Sequence, residues 1–294
     1  MKQNNFLFDK LKNNFQEYTK NQKVLARFIL KNYQKVAFST ITQFSKISGI
    51  SEATINRFVK ILGFRGYTTF QKEIRRILRS DLKGNERYQI SYSSEKEKNN
   101  TISRVINKEI ENLSYLQKTY DEKKVKEAVF AINNSNNIVV VGARSTASLA
   151  YDFWFCLTKL GLKAKRVTSI TTEIYDYINN LDKQSLVIVI NFPRYLVELV
   201  DIIKFSKERG IKTIAITDSS CSPINSDINL YTPAESISFI PFHCAPLVLI
   251  KAIITELSLL DKEKTLSTLN KFEKLAEDRG YFDKSFLIKP PNNF

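Results

Sequence analysis

Residues 41–60 read ITQFSKISGISEATINRFVK, and this stretch decides the fold of the first third of the chain. Thr40 can cap a helix whose apolar residues, at positions 41, 44 and 47, share one side. Gly49 can take a positive φ where the chain must reverse, and Ser51 can cap a second helix. The stretch therefore predicts a helix, a glycine turn and a second helix.

The second helix, from Ser51 to Leu62, sorts its side chains as a DNA-reading helix requires. At about 100° per residue its apolar stripe contains Ile55, Phe58, Val59 and Leu62. Small residues on the opposite side allow close approach to the major groove, where Arg57 can fork onto guanine and Asn56 suits adenine. The predicted DNA contacts of this helix are Ser51, Ala53, Thr54, Asn56, Arg57 and Lys60. An ordinary amphipathic surface helix would show the same stripe.

Positive charge is concentrated in the first third of the chain. Residues 1–98 contain 20 Lys and Arg against 8 Asp and Glu, whereas residues 99–294 contain 25 against 22. A general lysine bias would raise both parts together, so the asymmetry indicates a local partner, and DNA phosphate fits. Lys60, Arg65 and Tyr67 are the predicted contacts to the DNA backbone. Further cations that follow the second helix are Lys72, Arg75, Arg76 and Arg79.

The chain divides into two predicted domains. Residues 1–80 form the basic helical block, residues 81–100 lack periodicity as a linker does, and residues 101–294 form the second domain. The cysteines, Cys156, Cys221 and Cys244, form no CxxC pair, so we predict no disulfide framework, metal site or cofactor. The N-terminus lacks the apolar core of a signal peptide, and the longest apolar stretch is too short to span a membrane, so we expect a cytoplasmic protein.

The second domain alternates short apolar runs with helical patterns. Helical patterns cover 102–119, 122–133 and 261–281, and the predicted strands cover 138–142, 185–191, 211–217 and 228–232. Continuous apolar strands are buried on both faces, and their alternation with helices is typical of a parallel, doubly wound sheet. The predicted fold class is an all-α helix-turn-helix domain followed by a three-layer α/β domain.

The loops at the carboxyl ends of these strands are polar, and ligands bind at this edge of such sheets. The loop after the first strand opens a helix whose free N–H groups would favour an anion. Arg144 and Arg194 can each present a planar fork to a phosphate or carboxylate. The predicted ligand-binding residues are Gly142, Arg144, Ser145, Asn191, Arg194, Tyr195, Thr217, Asp218 and Glu235. Helix capping by serine would explain one such loop without a ligand.

Motifs in both domains have counterparts in a known family. The first is ISGISEATINRFVKILGFRGYTTFQKEI at 47–74, and the others are VVGARSTASLA at 140–150, IKTIAITD at 211–218 and Ser-Pro at 222–223. The first resembles the helix-turn-helix block of the RpiR/MurR family of bacterial transcription regulators, and the others resemble its sugar isomerase (SIS) domain. The resemblance implies a double-stranded DNA operator, a homodimer or tetramer, and an effector, commonly a sugar phosphate, that alters operator binding.

The loop after the central strand departs from the family's pattern. Many SIS domains carry Ser-x-Ser-Gly-x-Thr there, whereas this chain carries Asn191-Phe192-Pro193-Arg194-Tyr195. Pro193 removes a backbone donor and the two aromatic residues add bulk, so backbone amides cannot wrap a phosphate in the usual manner. We expect a changed effector site, in which Arg194 supplies the anion contact and Phe192 or Tyr195 stacks on a flat or apolar ligand.

Two other functions fit parts of the sequence. SIS folds also serve as sugar phosphate isomerases, where a carboxylate or histidine moves a proton, and the candidates here are Glu173, Glu235 and His243. Without the serine loop nothing positions a substrate phosphate, so we do not expect an enzyme. A purely architectural DNA-binding protein would leave the polar loops without a purpose. We expect a sequence-specific transcriptional regulator that senses a phosphorylated sugar or another small anionic metabolite.

Overall fold

The computed structural model describes residues 6–81, 85–86, 100–220 and 222–283. Its first part is helical, and its elements are α1 (Phe6–Asn13), a 3₁₀ turn (Phe15–Glu17), α2 (Lys20–Phe38), α3 (Ile41–Ser48), α4 (Glu52–Ile61) and α5 (Tyr67–Asp81). We call this part the helical unit. The predicted linker lies largely outside the described residues, so the domain boundaries stay a prediction.

The caps of α3 and α4 are those that the sequence predicts. The backbone N–H of Gln43 donates to the Thr40 hydroxyl at 3.2 Å, and the Thr40 N–H donates to the Gln43 side chain at 2.8 Å. Gly49 ends α3 with φ +69°, and the Ser51 hydroxyl accepts a hydrogen bond from the Thr54 N–H at the start of α4. Capping bonds of this kind each stabilise a helix by about 1 kcal/mol. The helix-turn-helix is therefore specified locally.

The apolar stripe of α4 is buried in the core of the helical unit. Its four residues, Ile55, Phe58, Val59 and Leu62, are at most 2% exposed. They pack with buried residues of the other helices, including Leu25, Ile29, Phe44, Phe70 and Ile74. The prediction for α3 is wrong at Ile47, which is 47% exposed. At about 100° per residue Ile47 lies about 120° around the helix from Ile41, outside the buried stripe.

The second part, which we call the α/β unit, alternates helices and strands. Its helices are α6 (Thr101–Thr119), α7 (Glu122–Asn133), α8 (Ala147–Lys159), α9 (Glu173–Asn179), α10 (Val197–Glu208), α11 (Cys244–Leu260) and α12 (Lys262–Arg279), with a 3₁₀ turn at Arg144–Thr146. Its strands are β1 (Ile138–Val141), β2 (Ala164–Val167), β3 (Leu186–Ile190), β4 (Lys212–Thr217) and β5 (Ile228–Tyr231). The four predicted strands are confirmed, and β2 was not predicted.

All five strands are parallel, in the order β2-β1-β3-β4-β5. Alternate side chains point to opposite faces. Val140 and Ile188 share an apolar cluster with α7, α8 and α11, while Val139 and Val141 share another with α9 and α10. The three-layer, doubly wound fold is therefore confirmed. None of the helices in the described ranges combines the length and apolar character needed to cross a membrane.

Candidate DNA-binding surface and effector crevice

The outward side of α4 is the candidate DNA-binding surface. Ser51, Ala53, Arg57 and Lys60 are exposed, and Thr54 and Asn56 lie half-buried at its margins. The Thr54 hydroxyl lies 2.9 Å from the Ser51 hydroxyl and accepts a hydrogen bond from the Arg57 guanidinium at 3.4 Å. The predicted residues therefore share one accessible face, on which Arg57 is already linked to the helix start.

The structure separates Arg65 from Tyr67, which the sequence had grouped as backbone contacts. Arg65 is exposed, whereas Tyr67 is 8% exposed and its hydroxyl donates to the Ser39 carbonyl at 2.8 Å. Burial raises the pKa of Tyr67 to about 12, against a smaller lowering by Arg75. The prediction of Tyr67 as a phosphate contact is therefore wrong, because its side chain packs in the core and ties α5 to the end of α2.

Two further cations of α5 have intramolecular partners. Arg75 donates from Nε to the Ala37 carbonyl at 2.7 Å, and its guanidinium lies 5.9 Å from the centre of the Phe38 ring. The Lys72 ammonium lies 5.6 Å from the centre of the Tyr115 ring. Arg75 and Lys72 therefore have partners within the protein, and their positions on α5 can be explained without DNA. The side chains of the remaining cations, Arg76 and Arg79, lie outside the described residues.

The candidate effector crevice lies where the order of the strands changes direction. The chain leaves β1 for β2 on one side and leaves β3 for β4 on the other, although β1 and β3 are neighbours. Val141 pairs with Val189, so the loops that follow these strands begin side by side. Doubly wound sheets bind ligands at this switch point. The structure therefore brings the 142–146 and 191–195 loops together.

Both of these loops contain an arginine with a positive φ. Arg144 has φ +56° and Arg194 has φ +68°, and both are exposed. Residues other than glycine pay about 1 to 3 kcal/mol for this conformation, and such residues cluster at functional sites. Among the described residues, Asn100 is the only other non-glycine with a positive φ. Two arginines with strained backbones therefore follow adjacent strands of the sheet.

The first loop is held against the sheet by a close contact at Gly142. A Cβ at this position would lie 2.7 Å from the Thr146 carbonyl oxygen and 3.0 Å from the Ala150 Cβ. The absence of a Cβ at Gly142 therefore lets α8 start close to β1. Gly142 serves the packing of the loop against this helix. Ser145, by contrast, is exposed beside Arg144.

The second loop is braced by its own buried polar groups. The Asn191 side chain donates to the Leu196 carbonyl at 3.1 Å and accepts from the Leu196 N–H at 3.2 Å. The Tyr195 hydroxyl donates to the Asp218 carboxylate at 2.6 Å, and Thr217 donates to the same oxygen at 3.3 Å. Asn191, Tyr195 and Thr217 are all buried. They hold Arg194 in place, and the predicted stacking of Tyr195 or the buried Phe192 on a ligand is wrong because neither ring is accessible.

Glu235, which follows β5, contacts α6, a helix that the sequence did not connect to the predicted ligand-binding residues. The Lys108 ammonium lies 2.7 Å from the Glu235 carboxylate, and Asn112, 2% exposed, donates to the Glu235 carbonyl at 2.8 Å. The Glu109 carboxylate accepts from the Cys244 N–H at 3.3 Å. Glu235 thus faces α6 through an ion pair. The sequence carries no local signal of these contacts, because their partners lie 123 and 135 positions apart.

The sole histidine is packed at the end of the same segment. His243 lies 6.0 Å from the Phe192 ring, and its Nε2 is buried without a hydrogen bond to any described residue. Burial lowers its pKa, against a smaller raising effect of Glu109. Glu173 is exposed at the start of α9, on the opposite face of the sheet from α6. The described residues contain no group of three or more potential metal ligands.

Comparison with known proteins agrees with both halves of this description. Residues 6–80 match the model of the helix-turn-helix domain of the rpiR family, and residues 131–260 match the SIS domain model. An uncharacterized HTH-type transcriptional regulator of Clostridium perfringens is 27% identical over 79% of this chain and 83% of its own.

Two solved structures resemble the fold. The sugar isomerase domain of an RpiR transcription factor from Sphaerobacter thermophilus has a TM-score of 0.58 at 24% identity, over 60% of this chain and 99% of that one. Vibrio vulnificus NanR, complexed with ManNAc-6P, has a TM-score of 0.59 at 18% identity, over 92% of this chain and 98% of that one. With its helix-turn-helix domain followed by a SIS domain, the chain belongs to the RpiR family of transcriptional regulators.

Proposed function

We propose that the protein binds a specific double-stranded DNA operator and that a small anionic metabolite in the α/β unit changes this binding. The observation that carries the proposal is the accessible face of α4, where Ala53, Arg57 and Lys60 lie together on a domain of the rpiR family. Arg57 is the proposed base contact, and Lys60 and Arg65 are the proposed phosphate contacts. The positive charge of this part of the chain supplies affinity for any sequence.

The proposed effector binds between the 142–146 and 191–195 loops. Arg144, Ser145 and Arg194 are its proposed contacts, while Gly142, Asn191, Tyr195, Thr217 and Asp218 keep the loops in place. NanR was solved with a phosphorylated sugar, which supports an anion here. Because Pro193 and two buried aromatic rings replace a serine loop, we propose that arginine side chains hold the anion, whether phosphate or carboxylate.

The proposed regulator acts as a homodimer in the cytoplasm. A dimer places two copies of α4 about 34 Å apart, or a multiple of this, on a palindromic site. Effector binding then favours one arrangement of the two helices over another.

An isomerase is less well supported by the same residues. Glu235 is engaged by Lys108 at 2.7 Å, and the imidazole of His243 is largely buried. A general base must reach the proton that it removes, and here the Lys108 ammonium holds the Glu235 carboxylate while the Nε2 of His243 is closed to solvent.

The test is fluorescence anisotropy of the full chain with the DNA upstream of its own gene and with a scrambled duplex, over a series of salt concentrations. Arg57→Ala should lose about 1 to 3 kcal/mol for the operator and little for the scrambled duplex. Lys60→Ala should weaken both duplexes and lower the salt slope by about one, whereas Lys271→Ala, which removes an exposed charge from α12, should change neither. Equal affinity of the wild-type protein for both duplexes would contradict the proposal.

A further inference from the structure

The outward face of α4 contains an apolar residue that its polar pattern in the sequence conceals. Ile61 follows Arg57 by four residues and is 50% exposed. Ala53 precedes Arg57 by four residues and is also exposed. Residues four apart on a helix lie one above the other. The centre of the face is therefore an arginine with an apolar side chain on each side along the helix.

Exposure alone does not distinguish Ile61, because single exposed isoleucines are common. Ile47 on α3 is equally exposed, at 47%, and it has no place in the row of Ala53, Arg57 and Ile61. What distinguishes Ile61 is its position on α4, four residues after Arg57. Ile47 is an isoleucine of similar exposure outside this row, and it therefore serves as a matched control for Ile61.

The Thr54 hydroxyl restricts the Arg57 guanidinium. It accepts from Arg57 Nη2 at 3.4 Å and lies 2.9 Å from the Ser51 hydroxyl. These contacts place the Thr54 hydroxyl between the cap of α4 and the Arg57 guanidinium. Thr54 thereby acts as a positioning residue, since an arginine fork that is already oriented loses less freedom on binding.

The chemistry of this row fits one pattern of bases. In the major groove guanine offers O6 and N7 to an arginine fork, and the thymine methyl is the apolar group that alanine and larger apolar side chains contact. Four residues of helix rise about 6 Å, and successive base pairs are about 3.4 Å apart. Apolar side chains on either side of Arg57 thus reach base pairs within about two steps of its guanine.

We propose that α4 selects DNA in which a guanine has thymines within two base pairs on both sides, on either strand. Arg57, positioned by Thr54, contacts the guanine, and Ala53 and Ile61 contact the thymine methyl groups. This inference rests on the proposed function, since it requires sequence-specific binding by α4.

The first step of the test is to select duplexes from a random pool with the full chain. In the best duplex each thymine is then replaced singly by deoxyuridine, which removes only the methyl group. Wild-type affinity should fall about fourfold at a thymine near the guanine, the effect of one buried methyl group. At one of the sensitive thymines Ile61→Ala and Ile61→Gln should bind both versions equally, while the thymine that Ala53 contacts should stay sensitive, and Ile47→Ala should discriminate at both like the wild type.

The positioning role of Thr54 has a separate readout. Replacement of the guanine by 7-deazaguanine removes the N7 acceptor, and wild-type protein should lose affinity. Thr54→Val, which keeps the shape and removes the hydroxyl, should reduce this loss, and Thr54→Ser should restore it. An equal loss in all three proteins would overturn the positioning role.

The results separate this inference from the proposed function. If the selected DNA binds specifically but no deoxyuridine weakens it, or if both Ile61 variants keep the wild-type sensitivity at every thymine, the methyl contact is wrong and the regulator stands. If the selection enriches no sequence, both proposals fail.

Discussion

Tyr67→Phe removes a single hydroxyl from the core of the helical unit. That hydroxyl donates to the Ser39 carbonyl at 2.8 Å, and the same carbonyl accepts from the Gln71 side chain at 2.5 Å. Because the carbonyl keeps one partner, the loss at neutral pH is that of one hydrogen bond, about 1 kcal/mol of unfolding free energy. A contact to DNA phosphate would instead appear as weaker DNA binding at unchanged stability.

The same substitution should reverse its effect in alkali. Folding raises the pKa of Tyr67 from 10.0 to about 12. The resulting stabilisation is complete below pH 10 and is lost between pH 10 and pH 12, as the unfolded chain ionises first. The loss reaches about 3 kcal/mol once both states are ionised. Since phenylalanine does not ionise, the two stability curves should cross between about pH 10 and about pH 11, where this loss equals the contribution of the hydrogen bond.

The assay is urea unfolding of both proteins followed by circular dichroism, from about pH 8 to about pH 11. The only tryptophan, Trp154, lies in the α/β unit, so its fluorescence isolates the transition of that unit. Tyr175→Phe is the matched control, because the pKa of Tyr175 is also raised to about 12 but the residue lies in α9. Parallel curves that never cross, or a large loss of DNA affinity in Tyr67→Phe without a loss of stability, would refute the structural role.

Three further predictions concern the α/β unit. Gly142→Ala places a Cβ 2.7 Å from the Thr146 carbonyl oxygen and should destabilise by about 1 to 3 kcal/mol in urea unfolding, whereas Gly66→Ala, with no atom within 4 Å of its Cβ, should be neutral or stabilising. Arg194→Gly should raise the Tm because it relieves a positive φ, and it should abolish the effector response; a lower Tm would contradict the strain. His243 should titrate below 6.5 in proton NMR, so stability is full above pH 6.5 and falls in more acidic solution; a pKa of 6.5 or higher would contradict its burial.

The features of the fold that could be predicted from the sequence depend on residues that are close together in the chain. Thr40, Gly49 and Ser51 act within four residues of their own positions, so their roles can be assigned from neighbours in the sequence. The central strands are uniformly apolar because both faces of the sheet are covered. The edge strand β2, AKRV, has exposed Lys165 and Arg166, and such a strand gives no apolar run to detect.

The remaining features depend on contacts between distant residues. Tyr67 meets Ser39 across 28 positions, and Asn112 meets Glu235 across 123. Neither partner carries a local signal of the other. Arg144 and Arg194 could be placed at strand ends from the sequence, but their positive φ values follow from how buried neighbours brace the loops. The sequence therefore indicates which polar loops meet at one edge of the sheet, but not that Asn191, Tyr195 and Thr217 in these loops are buried.

The order of the strands also bears on synthesis of the chain. The helical unit ends at Asp81 and depends on contacts among its own helices, so it can fold as soon as it leaves the ribosome. The parallel sheet cannot be completed until β5 at Ile228–Tyr231 has been made, and parallel strands pair slowly because each needs a long crossover. A nascent chain therefore carries a finished helical unit well before it carries a finished α/β unit.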